Sequence, residues 1–222
     1  MNQARQKDNF LYLLIALVGL LFLITLMDYF IEKIWLSHVI NYVILFSILV
    51  SVLGVKKQKL EFRIGLSISL LLFGIDLIQA FNPQPLFNAL QLYISLFFFI
   101  FVAWHAAKQV LFSGTVNANI IIGSICIYLL MGLIWGMFYL LLLKIEPNAF
   151  NGIEGTISWQ HNLPNTVYFS FVSLASLGYG EITPVFPPAR FLAYIEAITG
   201  QFYMAILVAS LIGARMSKKD IT

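Results

Sequence analysis

Apolar residues fill most of this chain in long unbroken runs, and polar residues are confined to short clusters between them. Six runs are long enough to be membrane helices: Phe10–Met27, Ile34–Val55, Ile64–Phe81, Leu86–Ala107, Ile120–Leu143 and Arg190–Ala214. About 20 apolar residues in a helix cross a bilayer core. The pattern therefore predicts an all-α membrane protein with six transmembrane helices. The segment between the fifth and sixth runs, Lys144 to Ala189, is different. It holds five of the seven prolines, a polar stretch, and then a short apolar run of 13 residues from Leu163 to Ala175. At ~1.5 Å per residue that run reaches only about 20 Å as a helix, too short to span. It is expected to dip into the membrane and return, which non-helical backbone can do only where protein or water covers it. Asn162 or Asn165 is placed to cap this helix, with Pro164 in its first turn.

Composition supports the same class. The 222 residues are 60% hydrophobic and only 10% charged, against roughly 25% charged in soluble domains. The single cysteine, Cys126, lies inside an apolar run and excludes an intrachain disulfide; a small packing role is expected. The first apolar run follows Arg5 and Lys7 as in a signal peptide, but it is longer than an h-region and lacks a small-residue cleavage site. It is read as a retained span.

Basic residues set the expected orientation. With the N-terminus in the cytoplasm, ten lie inside (Arg5, Lys7, Lys56, Lys57, Lys59, Arg63, Lys108, Arg215, Lys218, Lys219), against Lys33, Lys144 and Arg190 outside. Both termini are then cytoplasmic and the re-entrant segment enters from outside. The expected organisation is a four-helix block over 1–107, a linker over 108–119, a helix–re-entrant loop–helix unit over 120–215, and a short tail over 216–222.

The most informative stretch is Ser173-Leu174-Ala175-Ser176-Leu177-Gly178-Tyr179-Gly180-Glu181-Ile182-Thr183-Pro184. It follows a short apolar helix, carries a Gly-Tyr-Gly, and is flanked by two spans. It resembles the filter of the potassium-channel pore family, and the resemblance covers roughly Ile120 to Arg215. The stretch Tyr168 to Leu174 is similar to that family's pore helix. The family commonly has Thr at Ser176, Val or Ile at Leu177, and Asp at Glu181; a hydroxyl, an apolar brace and a carboxylate are each retained. It often has Trp at Tyr168 and Phe169, and some members place a carboxylate at Val172, which this chain lacks.

The resemblance implies an ion path made by Ser176, Leu177, Gly178, Tyr179 and Gly180, with potassium held at Ser176 to Tyr179. Backbone carbonyls replace the ion's water shell without a full negative charge, so the ion can leave again. Aiming successive carbonyls at one axis needs alternating backbone twists, some at positive φ, which glycine accepts. Tyr179 braces the strand against aromatics, and the Ser176 hydroxyl adds an oxygen at the innermost site. One loop cannot surround an ion, so a homotetramer is expected. Gly200 stands where the family has a gating hinge; close helix packing explains a glycine there equally well.

Other polar residues are fewer. Leu86–Ala107 contains no Lys or Arg, so a charged voltage sensor is not expected. Asp76 is expected to pair with His38 or Asn41, and Glu196 to bond behind the pore helix. Glu181 would ring the outer mouth, either braced by Tyr168 or Arg190 or simply solvated. Glu146 and Glu154 lie in the outer loop. His38, His105 and His161 are scattered and make no catalytic constellation. The reading is a non-enzymatic, potassium-selective channel subunit of the cell membrane, without a cofactor and without nucleic-acid partners. A weakly selective cation channel, a potassium-transporter subunit and a non-conducting scaffold are its rivals.

Overall fold

The structure, a computed structural model, describes residues 9–30, 59–82, 84–111, 117–153 and 159–219. Among these residues the regular structure is helical apart from one short ribbon. The helices are α1 (Asn9–Phe30), α2 (Lys59–Phe81), α3 (Pro85–Leu111), α4 (Ala118–Ile145), α5 (Trp159–Leu174) and α6 (Pro187–Lys219). Strands β1 (Phe150–Asn151) and β2 (Thr183–Pro184) pair antiparallel. The expected span Ile34–Val55 lies outside the described residues, and with it the pairing of Asp76 with His38 or Asn41.

Among the described residues, α3, α4 and the Pro187–Ser210 part of α6 are long and apolar enough to cross a membrane; α1 contributes a shorter apolar stretch, Phe10–Leu26. Two expected boundaries are corrected. Helix α3 continues to Leu111 and α4 starts at Ala118, so the 108–119 linker is helical at both ends. Helix α6 has 33 residues, about 50 Å at ~1.5 Å per residue, well beyond the ~30 Å hydrocarbon core.

Helix α4 is central and packs against α1, α3, α5 and α6. Its N-terminus is closed by Asn117, whose side-chain oxygen accepts from the Ile120 amide at 3.0 Å. Helix α1 buries Leu13, Leu17, Leu20 and Ile24, a helical stripe, against α4. Its opposite face, Leu11, Tyr12, Ile15, Val18 and Phe22, is also hydrophobic, yet exposed. Apolar residues on both faces suit a helix with lipid on one side and protein on the other. Cys126 is fully buried in this seam, and its thiol donates to the Phe10 carbonyl at 3.5 Å.

Candidate functional site

Helix α5 is the short helix expected before the Gly-Tyr-Gly stretch. It begins four residues earlier than the apolar run, at Trp159, with His161 and Asn162 in its first turn. Neither asparagine caps it. Asn162 is buried inside the helix, where its carbonyl accepts from the Thr166 hydroxyl at 3.1 Å, and Pro164 lies in the second turn. A proline there removes one i→i−4 bond.

Glycines let α4 approach α5 closely. A Cβ on Gly132 would meet the Phe171 ring at 2.5 Å, and one on Gly136 would lie 3.1 Å from the Val167 Cα. These two pairs are each four residues apart, the Gly-x-x-x-Gly arrangement of close membrane-helix contacts. The approach also brings the Ser170 hydroxyl within 2.7 Å of the Gly132 carbonyl.

Behind α5 sits a polar knot. Glu196 of α6 is fully buried; one carboxyl oxygen is 2.5 Å from Ser170 Oγ on α5 and the other 2.5 Å from Tyr139 Oη on α4. The expectation that Glu196 bonds behind the pore helix thus holds, and three helices meet at one carboxyl. Above it, Tyr139, Phe150 and Phe169 form a mutual edge-to-face trio with ring centroids 5.0–5.4 Å apart, the preferred aromatic geometry.

The chain leaves α5 through backbone bonds that all point backward. The Ser176 amide donates to the Ser173 carbonyl at 2.9 Å, and the Leu177 and Gly178 amides share the Val172 carbonyl at 2.9 and 3.4 Å. Ser176, Gly178 and Gly180 have φ of +55°, +57° and +92°, while Leu177 and Tyr179 between them do not have positive φ. Alternating twist of this kind puts successive amides on one face of a strand and successive carbonyls on the other. With the first three amides turned toward α5, the carbonyl face is turned away from it. Open space surrounds Gly178 and Gly180 on the Cβ side, so glycine is favoured there by backbone twist and not by crowding.

Leu177 and Tyr179 are 56% and 66% exposed. Tyr179 makes no ring contact with another aromatic among the described residues. A cavity of about 200 Å³ separates the Gly178–Thr183 strand from Tyr168, Phe169 and Val172 of α5.

At the end of the strand the Tyr168 hydroxyl donates to a Glu181 carboxyl oxygen. This bond, then desolvation and the carboxylate's charge, push the Tyr168 phenol above its ordinary value. Arg190, the other partner considered for Glu181, instead donates to the Pro184 carbonyl at 3.1 Å. The β1–β2 ribbon pairs Phe150 with Pro184 and Asn151 with Thr183. Gly152, at φ +83°, passes so close to the Glu181 carbonyl that a Cβ would lie 2.4 Å from it. The loop before α5 is thereby pinned to the segment after the strand. The Glu146 carboxyl accepts from the Asn148 amide two residues on at 3.1 Å; Glu154 lies outside the described residues.

At the opposite end, Gly200 of α6 passes the C-terminus of α5, where a Cβ would lie 2.1 Å from the Leu174 carbonyl. The next residue, Gln201, donates from Nε2 to Ser176 Oγ at 2.9 Å.

Of the residues singled out in the sequence, Glu181 bonds with Tyr168, Glu196 with Ser170 and Tyr139, and Gly200 packs against the Leu174 carbonyl, so each meets α5 or its neighbours. Sequence reasoning missed the positive φ at Ser176, the partner roles of Tyr139, Ser170 and Gln201, and the ribbon. The Gly132–Gly136 spacing was visible and could have given the α4–α5 contact.

Residues 125–216 match a family model described as "Ion channel". No curated protein and no solved structure matches the chain. The matched segment starts within α4, takes in α5, the twisted strand and Glu181, and ends in the last turns of α6, so the part of this chain that holds the site is similar to an ion-channel pore.

Proposed function

We propose that four copies of this chain surround an axis and conduct potassium passively and selectively, with the carbonyls of Ser176, Leu177, Gly178 and Tyr179 replacing the ion's water shell. The observation that carries the reading is the alternation of positive φ at Ser176, Gly178 and Gly180, together with amides bonded back to α5. One strand of carbonyls offers an ion only one side of a cage, so rotational symmetry must supply the rest. The exposed Leu177 and Tyr179 support that assembly, because a neighbouring copy gives them cover.

Both termini face the cytoplasm in this reading, and Glu181 rings the outer mouth of a multi-pass protein of the cell membrane. The Lys- and Arg-free stretch Leu86–Ala107 supports weak voltage dependence. A gating bend at Gly200 belongs to the same proposal. Its approach to the Leu174 carbonyl means that such a bend would move the end of α5 with it.

The test is ion flux from liposomes containing purified protein, with the assembly's mass measured in parallel. Selective potassium flux from a tetramer, abolished by Gly178→Ala, is expected. Equal sodium and potassium flux would favour the weakly selective channel, and no flux from a monomer would reject the pore.

A further inference from the structure

Ser176 is the one non-glycine residue with positive φ among the described residues. That backbone region is costly above all for β-branched side chains. Serine supplies a hydroxyl there without a branched Cβ. The same lack of a branch leaves its χ1 free, since the second Cβ substituent is what stiffens threonine. A hydroxyl that must present a lone pair to a passing ion therefore needs to be held by something else.

Helix α6 provides the holder. Gly200 lets the α6 backbone pass the Leu174 carbonyl, and this brings the next side chain to the beginning of the strand. Gln201 Nε2 then donates to Ser176 Oγ at 2.9 Å. Thr199, the neighbour on the other side of Gly200, does not compete, because its hydroxyl bonds back to the Ile195 carbonyl at 2.7 Å. An amide donor occupies one lone pair of the serine oxygen and fixes its rotamer, while the second lone pair stays open to a cation.

We infer that Gln201 is a positioning residue for the innermost cation site: its side-chain amide holds the Ser176 hydroxyl oxygen toward the ion path and so sets how readily potassium enters from the cytoplasmic side. This rests on the potassium-pore reading above. It adds that this site is built from two elements, the strand and α6, and that movement of α6 would release the hydroxyl.

The test is a double-mutant cycle on the full chain in planar bilayers, with conductance measured over a range of symmetric potassium concentrations. Gln201→Leu removes the donor at similar size and at an exposed position. It is expected to raise the half-saturating potassium concentration about threefold to tenfold, the range of one net hydrogen bond. Ser176→Ala should raise it at least as much, and the double variant should match Ser176→Ala alone, since Gln201 acts through the hydroxyl. The potassium concentration needed to stabilise each tetramer against heat, read without conduction, should shift in the same order. A Gln201→Leu protein with wild-type half-saturation, or effects of the two substitutions that add, would overturn the inference while leaving the selective pore intact. A wild-type protein that does not prefer potassium would instead overturn the pore reading and this inference with it.

Discussion

The glycines of the two halves of this molecule behave differently. In the N-terminal helices, a Cβ on Gly19 of α1 or Gly74 of α2 would meet nothing within 4 Å. In the C-terminal unit, Gly132, Gly136, Gly152 and Gly200 each have another segment within about 3 Å of the missing Cβ, and Gly178 and Gly180 have positive φ. Among the described residues, most side-chain bonds between elements also lie in the C-terminal unit, although Thr166 and Thr199 there bond back to their own helices and Gln160 donates to Gln91 of α3. Thr25, Ser67 and Ser69 bond back to their own helices, whereas Tyr139, Ser170, Glu196, Tyr168 and Gln201 bond between elements. The N-terminal helices are fitted by hydrophobic burial, which tolerates substitutions of similar size. The C-terminal unit is fitted atom by atom, as a site that must hold a backbone in a twisted conformation requires.

Substituting those glycines should have the largest effect. Gly200→Ala should destabilise the protein by at least about 1–3 kcal/mol, since the methyl group meets a backbone carbonyl and not a mobile side chain. Gly19→Ala and Gly74→Ala should be neutral, or stabilising by about 0.4–1 kcal/mol. Thermal unfolding in detergent measures all three. Equal effects in both halves would remove the distinction.

The polar knot gives the next largest effect. Glu196→Leu leaves the buried Tyr139 hydroxyl without its carboxyl partner, at a cost of about 1–3 kcal/mol, while the Ser170 hydroxyl keeps the Gly132 carbonyl. Glu196→Gln keeps oxygen and hydrogen in place and should retain most of the stability. Similar melting temperatures for the two variants would mean that the carboxyl group is not what joins α4, α5 and α6.

How much of this was legible follows from the kind of interaction involved. Long apolar runs and the Gly-Tyr-Gly stretch are local signals, so the helices and the positive φ at Gly178 and Gly180 could be read directly. The positive φ at Ser176 could not, because serine has no strong preference for that region and the conformation is imposed by amide bonds to Val172 and Ser173. The ribbon between Phe150 and Pro184 joins residues more than thirty positions apart through two residue pairs, too short to show an alternating pattern. Glu196 was recognisable as a buried acid in need of partners, but its sequence position does not say that they are Tyr139 and Ser170. Asn162 resembled a helix cap next to Pro164, and packing at Trp159 carried the helix past both.

A smaller effect is expected at the outer mouth. If the bond from Tyr168 braces Glu181, external acid that protonates the carboxylate should reduce the current, and Glu181→Gln should show that reduction at neutral pH. Because the Tyr168 phenol is raised above its ordinary value of about 10, its bond is complete below that value and is lost only as pH rises through the raised one. Alkaline solutions up to about pH 10 should therefore leave the current unchanged. Tyr168→Phe should weaken the acid response. Recordings across external pH decide this; identical responses in wild type, Glu181→Gln and Tyr168→Phe would leave Glu181 as a solvated carboxylate.

The smallest expected effect is that of voltage. Helix α3 carries no Lys or Arg between Leu86 and Ala107, and each charge moved is worth only about 2.3 kcal/mol per 100 mV. Open probability should change little with voltage, and a steep activation curve would give the N-terminal helices a role that their packing does not suggest.

The central claim is that the twisted strand from Ser176 to Gly180 is a potassium-selective path in a tetramer. The reversal potential of purified protein in a planar bilayer, with potassium on one side and sodium on the other, tests it most directly. A potassium-selective path gives a reversal potential far toward the potassium equilibrium value, moving toward zero when Gly178 is replaced by alanine. A wild-type reversal potential near zero would contradict it.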